Sequence, residues 1–162
     1  MDQALREPTE KRDPLFWFSR FDPAEVRLVG DVVKTRGRMT FGEGDRPGTV
    51  RMTADYTFVY PLVKARPGAD QVVRTIVRRT LAVDVLDPAE WQVTPGKLRL
   101  TEYLFEAADS SCSRTDGYLH PEFDEDVREV LPSGEAVDPY DRSRPQARVG
   151  EDEADCRPVA RV

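Results

Sequence analysis

This chain has little of what catalytic sites are made from. It holds one histidine, two cysteines and no asparagine. Its glycine-dense stretch, GEGDRPG from Gly42 to Gly48, lacks the Lys-Ser/Thr pair of a phosphate-binding loop and joins two strand-like runs, whereas such a loop opens a helix. There is no G-x-S-x-G elbow and no cysteine and histidine pair with a triad around it. Long apolar runs are missing too, since no window approaches the roughly 18 residues of a membrane span. The opening MDQALREPTEKR has neither the basic nor the apolar region of a signal peptide. The chain therefore reads as a soluble unit, and any anchor or export signal belongs to a segment outside it.

An excess of positive charge is also lacking. The 24 bases are outnumbered by 30 acids, for a net charge of −6. From His120 onward there are twelve acids and six arginines, so the excess sits in the tail and residues 1–119 are balanced. A neutral body with an acidic tail argues against nucleic-acid binding, which needs a concentrated basic surface. Twenty of the bases are arginine; with asparagine absent, genomic base composition accounts for this more cheaply than phosphate recognition.

What is present is alternation. In Thr49 to Tyr60, TVRMTADYTFVY, the even positions Val50, Met52, Ala54, Tyr56, Phe58 and Tyr60 are apolar or aromatic and the odd ones from Thr49 to Thr57 are polar. That is the period of a strand with one buried and one wet face. Three further strands are expected, at Val26 to Phe41, Val72 to Leu86 and Leu98 to Ala107. The first switches apolar parity between Val32 and Val33, and the last between Leu100 and Tyr103, as bulges would make them do. Pro61 is expected to end the second strand. Asp13-Pro14 opens a short helix whose Leu15, Phe16, Trp17, Phe18 and Phe21 lie across the apolar face. Asp22-Pro23-Ala24-Glu25 and Asp87-Pro88-Ala89-Glu90 repeat that opening, which we read as shared capping chemistry. Phe123, Val127, Val130 and Leu131 predict a short helix after Pro121. The fold class expected is α+β: a curved four-stranded antiparallel meander with a short helix at either end. Residues 1–12 form a linker or stub, 13–131 the sheet-based domain and 132–162 an acidic irregular tail.

Candidate sites are sparse. His120, near Glu122, Asp124, Glu125 and Asp126, has the residue types of a general base or half a metal site, but a lone histidine at a loop-to-helix junction is more often a cap or surface residue. Asp109, Ser110, Ser113 and Asp116 are rich in oxygen without calcium-loop spacing. Asp55 and Asp84 fall on the polar parity and read as solvated. Lys34, Arg36, Arg38, Arg51, Arg74 and Arg78 share that outer face with them, as a solvated ladder or as a surface that meets a partner. Cys112 and Cys156 are either two free thiols or one disulfide pinning the tail to the body. Closing that loop would be worth on the order of 4 kcal/mol in the chain-entropy model.

The kinked meander around an aromatic segment resembles the cystatin-like or nuclear transport factor 2-like cone. LVGDVVKTRGRMTF (28–41), DYTFVYPL (55–62), RTIVRR (74–79), DGYLHPEF (116–123) and DPYDRS (138–143) resemble uncharacterised actinobacterial proteins in which such a domain follows a membrane-spanning helix. The resemblance implies a domain at the extracytoplasmic face of the membrane, anchored by a segment outside this sequence, and agrees with a Cys112 to Cys156 disulfide. It departs from the cone at the front, where only Leu15 to Phe21 stands in for longer helices.

The function expected is a non-catalytic interaction or assembly module that binds a protein partner or itself through the sheet, with Arg36, Arg51, Arg74 and Arg78 as partner-binding residues and no catalytic residue, metal or cofactor. The alternative is a small-molecule-binding or enzymatic cone whose apolar pocket is lined by Trp17, Tyr56, Phe58 and Tyr103, with His120 near its mouth.

Overall fold

A computed structural model describes residues 14–94, 97–111, 116–124 and 138–146. Cys112, Cys156, residues 1–12 and most of the helix expected after Pro121 lie outside the described residues. The order is α1 (Pro14–Trp17), β1 (Val26–Leu28), β2 (Lys34–Glu43), β3 (Thr49–Lys64), β4 (Val73–Leu86) and β5 (Arg99–Ala108). All the strands belong to one antiparallel sheet, ordered β1-β3-β4-β5, with β2 also paired to β3.

The α+β expectation is corrected by this architecture. Among the described residues the helix is four residues long and the rest of the regular structure is strand. The physical reason lies in the Asp-Pro openings, which close as single turns. Asp22 Oδ1 accepts from the Ala24 amide at 2.9 Å, Asp87 Oδ1 from Ala89 at 2.8 Å and Asp138 Oδ1 from Tyr140 at 2.8 Å. In each case the aspartate satisfies a local amide and no apolar stripe follows to bury a longer helix.

The four expected strands become five because the first is broken. Leu28 pairs with Leu62 and Lys34 with Val59, so six steps on one side answer three on the other. An odd surplus reverses the parity as the sequence requires, but through a looped-out stretch at 29–33 in place of a one-residue bulge. Pro61, expected to stop β3, sits opposite this break. Its carbonyl accepts from the Val29 amide at 2.8 Å, so its ring nitrogen points to the same side, where the neighbouring strand is interrupted and no ladder donor is needed. In β5 the register slips between Ala82 and Val83, which puts Leu100 and Tyr103 on one face as their parity change demands.

Pairing fixes two faces. Val50, Met52, Ala54, Tyr56, Phe58, Tyr60 and Leu62 of β3 share the inner one with Met39 and Phe41 of β2, with Val77, Leu81, Val83 and Val85 of β4, and with Leu100, Tyr103 and Phe105 of β5. Leu15, Val77, Phe105 and Leu119 form one buried cluster, and Val26, Leu62 and Phe123 another, with Phe21 and Tyr60 packed against both. Both clusters lie toward the β1 end of β3, beneath residues 15–21 and 116–123.

Arg79, a base on the inner parity of β4 that the sequence leads one to expect at a strand end, near a bulge or paired with an acid, lies within the strand. It lies opposite Tyr56 and Phe105, donates to the Leu15 carbonyl at 3.1 Å and Ser19 Oγ at 3.3 Å, and rests 4.4 Å above the Phe105 ring. Its guanidinium fastens the covering segment to the sheet. Arg79→Met keeps the stem and removes the donors; a loss of roughly 1–3 kcal/mol in urea unfolding is expected, with faster amide exchange over residues 14–19.

Candidate functional site

The outer face is not a free arginine ladder. Residues 138–146 cross it, held by the polar side chains the sequence had placed there. Arg78, 7% exposed, pairs with Asp55 at 3.1 Å through both Nε and Nη2. It also donates to the carbonyls of Asp141 at 3.3 Å, Arg142 at 3.2 Å and Arg144 at 2.9 Å. Arg142 returns to Asp55 Oδ2 at 3.0 Å and donates to the Arg36 carbonyl at 3.1 Å. Arg144 meets both oxygens of Glu106, at 3.0 and 2.8 Å, and the Gln146 amide donates to the Arg78 carbonyl at 3.0 Å. Burial works against the Asp55 charge, but Arg78 and Arg142 outweigh it and hold the carboxyl below its ordinary range.

Of the residues expected to bind a partner, Arg78 is thus occupied by the chain itself. Arg51 is engaged too, by Asp84 at 2.8 Å and by Asp45 at 2.7 Å, the latter reaching back from the β2–β3 turn. Arg36 gives its carbonyl to the crossing segment, and Arg74 lies opposite Pro61 toward the far end of β4, exposed. Sequence reading missed Arg142, Arg144, Glu106 and Gln146. Arg142 lies in DPYDRS and Arg144 and Gln146 just after it, a stretch that carries no period, while Glu106 stands opposite Arg78 on the polar parity of β5.

His120 lies between two carboxylates. Its Nδ1 is 2.7 Å from Glu25 Oε2 and its Nε2 is 3.0 Å from Asp116 Oδ2. Both ring nitrogens face acceptors, so the imidazolium, with two N–H donors, is the form that satisfies the arrangement. Partial burial opposes that charge, yet the Asp116 and Glu25 hydrogen bonds prevail and raise the histidine above its ordinary value. The two acids sit on opposite sides of the ring and cannot converge on one ion, and among the described residues no three His, Cys, Asp or Glu are placed to hold a metal.

The four rings proposed as a pocket wall form packing. Trp17 lies 5.5 Å from Tyr103 and Tyr56 lies 6.4 Å from Phe58, while His120 is engaged elsewhere by Glu25 and Asp116. Tyr56 also lies across Gly37, where a Cβ would come within 2.3 Å of its ring, so only glycine fits there. A cleft of about 170 Å³ opens beside Lys64, Arg66 and Phe123, short of the several hundred Å³ usual for a small-molecule site.

The remaining feature is apolar. Beyond the covering segments, nothing among the described residues covers the inner face toward the β2–β3 turn. Phe41 is 70% exposed and Leu98 61%, and Met39, Val50, Val85 and Leu100 are also exposed. Register makes them neighbours, since Phe41 faces Met52, Met52 faces Val83 and Val83 faces Leu100. The exposed apolar area is on the order of 500 Å², at the upper end of what a monomer shows. No protein-family model, curated protein or solved structure matches the chain.

Two outcomes follow. Arg78→Met leaves Asp55 half-buried with one partner fewer and three carbonyls without a donor, so a loss of roughly 3–5 kcal/mol is expected, with amide protection lost at 138–146 in exchange experiments. For His120 the folded value is raised, so its stabilisation is complete below the ordinary 6.5 and is lost as pH rises through the folded value. An NMR titration should give a midpoint above 6.5, and His120→Gln should flatten the stability profile between 6.5 and that midpoint.

Proposed function

We propose that this domain is a non-catalytic interaction module that associates through the uncovered apolar end of its inner sheet face. The observation that carries the reading is the row of exposed Met39, Phe41, Val50, Val85, Leu98 and Leu100, adjacent in register. A soluble chain that leaves this much contiguous apolar surface in water is under a standing drive to bury it. The outer arginines are the weaker candidates for docking, because Arg51 and Arg78 already have intramolecular partners. Placement at the extracytoplasmic face of a membrane, through an anchor outside this sequence, rests on the sequence resemblance alone.

A Phe41→Asp, Leu98→Asp double variant alters only exposed positions, so its melting temperature should stay within a few degrees of the parent. Its association in chemical cross-linking, and its binding of an apolar fluorescent dye, should fall sharply. Unchanged association and unchanged dye binding would refute the reading.

A further inference from the structure

Resting on that reading for Met39 and Phe41, we propose that the partner is an extended peptide of alternating acidic and apolar residues, which adds as an antiparallel strand to the open edge of β2. The ladder shows which backbone groups would receive it. The Ala65 amide donates to the Glu25 carbonyl at 2.8 Å, the Val29 amide to the Pro61 carbonyl at 2.8 Å and the Gly44 amide to the Thr49 carbonyl at 2.9 Å. Odd positions of β3 therefore direct their backbone groups toward β1 and β2, and the β2 residues that face them are the even ones from Lys34 to Gly42. Thr35, Gly37, Met39, Phe41 and Glu43 consequently turn N–H and C=O the other way. No described strand pairs with that edge, and all ten residues of β2 are exposed. A row of backbone donors and acceptors facing water is a template for one more strand.

Side chains select which strand. Lys34, Arg36 and Arg38 lie opposite Val59, Thr57 and Asp55 on the outer parity, so three cations line one side of the edge over about 13 Å. None of the three has an ion-pair partner among the described residues, and Asp55 is already taken by Arg78 and Arg142. On the inner side of the same strand stand Met39, 46% exposed, and Phe41, 70% exposed. An added strand alternates its side chains in the same way, so every second residue meets the cations and the others meet Met39 and Phe41. Acid against base and apolar against apolar are the cross-strand pairs that stabilise a sheet. An antiparallel copy of β2 itself would instead set these cations against one another, which excludes it as the occupant.

The test is calorimetric titration of the full chain at low salt with a peptide of about seven residues in which glutamate alternates with valine. Saturable one-to-one binding is expected, at least about 30-fold tighter than that of the lysine-valine counterpart. In hydrogen-bonded antiparallel pairs the facing residues share a side of the sheet, so the valine amides point at β2 and the glutamate amides away. N-methylation of the valines should weaken binding at least about tenfold, and of the glutamates at most about threefold. Arg36→Glu, Arg38→Glu alters only exposed side chains and should reverse the preference to the lysine-valine peptide. A parent that does not bind overturns the added strand; loss of dye binding in Phe41→Asp, Leu98→Asp would then leave the interaction module standing with another partner. Binding that tolerates valine methylation, or that an all-glutamate peptide or phosphatidylglycerol vesicles reproduce at equal strength, also overturns it. An unchanged preference in Arg36→Glu, Arg38→Glu overturns the charge pairing.

Discussion

Two adjacent arginines of β4 hold both coverings of the sheet. Arg78 and Arg79 point to opposite faces because successive strand side chains alternate. Arg79 reaches up to Leu15 and Ser19, and Arg78 down to Asp141, Arg142 and Arg144. Each links β4 to a segment more than sixty positions away in sequence. A guanidinium suits both places. Its fork satisfies several carbonyls of irregular backbone at once, and its flat face lies on aromatic rings, which an ammonium does less well. Segments without regular structure have carbonyls to satisfy when they are laid on a sheet, and these two side chains supply the donors.

The coverings are short, and that shapes the rest of the molecule. With almost no helix among the described residues, the inner face is roofed by 15–21 and 116–123 at one end only, where the buried clusters form. The roof is pinned at its margin by His120, whose charged form joins Glu25 ahead of β1 to Asp116. The only histidine of the chain is therefore part of the fastening. At the other end the same apolar alternation continues with nothing above it among the described residues, and the functional reading follows from that exposed apolar strand.

Much of the sheet is legible in the sequence. Strict alternation in 49–60, and the parity changes near Val33 and between Leu100 and Tyr103, announced which residues share a face. The register bears them out through the break at 29–33 and the slip at Ala82. The Asp-Pro turns were visible as capping chemistry, but their extent was not, since a cap does not reveal whether an apolar stripe will find a surface. Pro61 looked like a terminator because the gap beside it belongs to another strand.

The candidate surface was half legible. Met39, Phe41, Leu98 and Leu100 stand on the apolar parity, while Arg78 stands on the polar parity and reads as part of a solvated or partner-facing ladder. Alternation is a local consequence of strand geometry, so the sequence by itself determined the two faces and their membership. Which part of each face is covered depends on where remote, aperiodic segments cross the sheet. Only the tertiary structure decided that Arg78 is buried and Phe41 is bare.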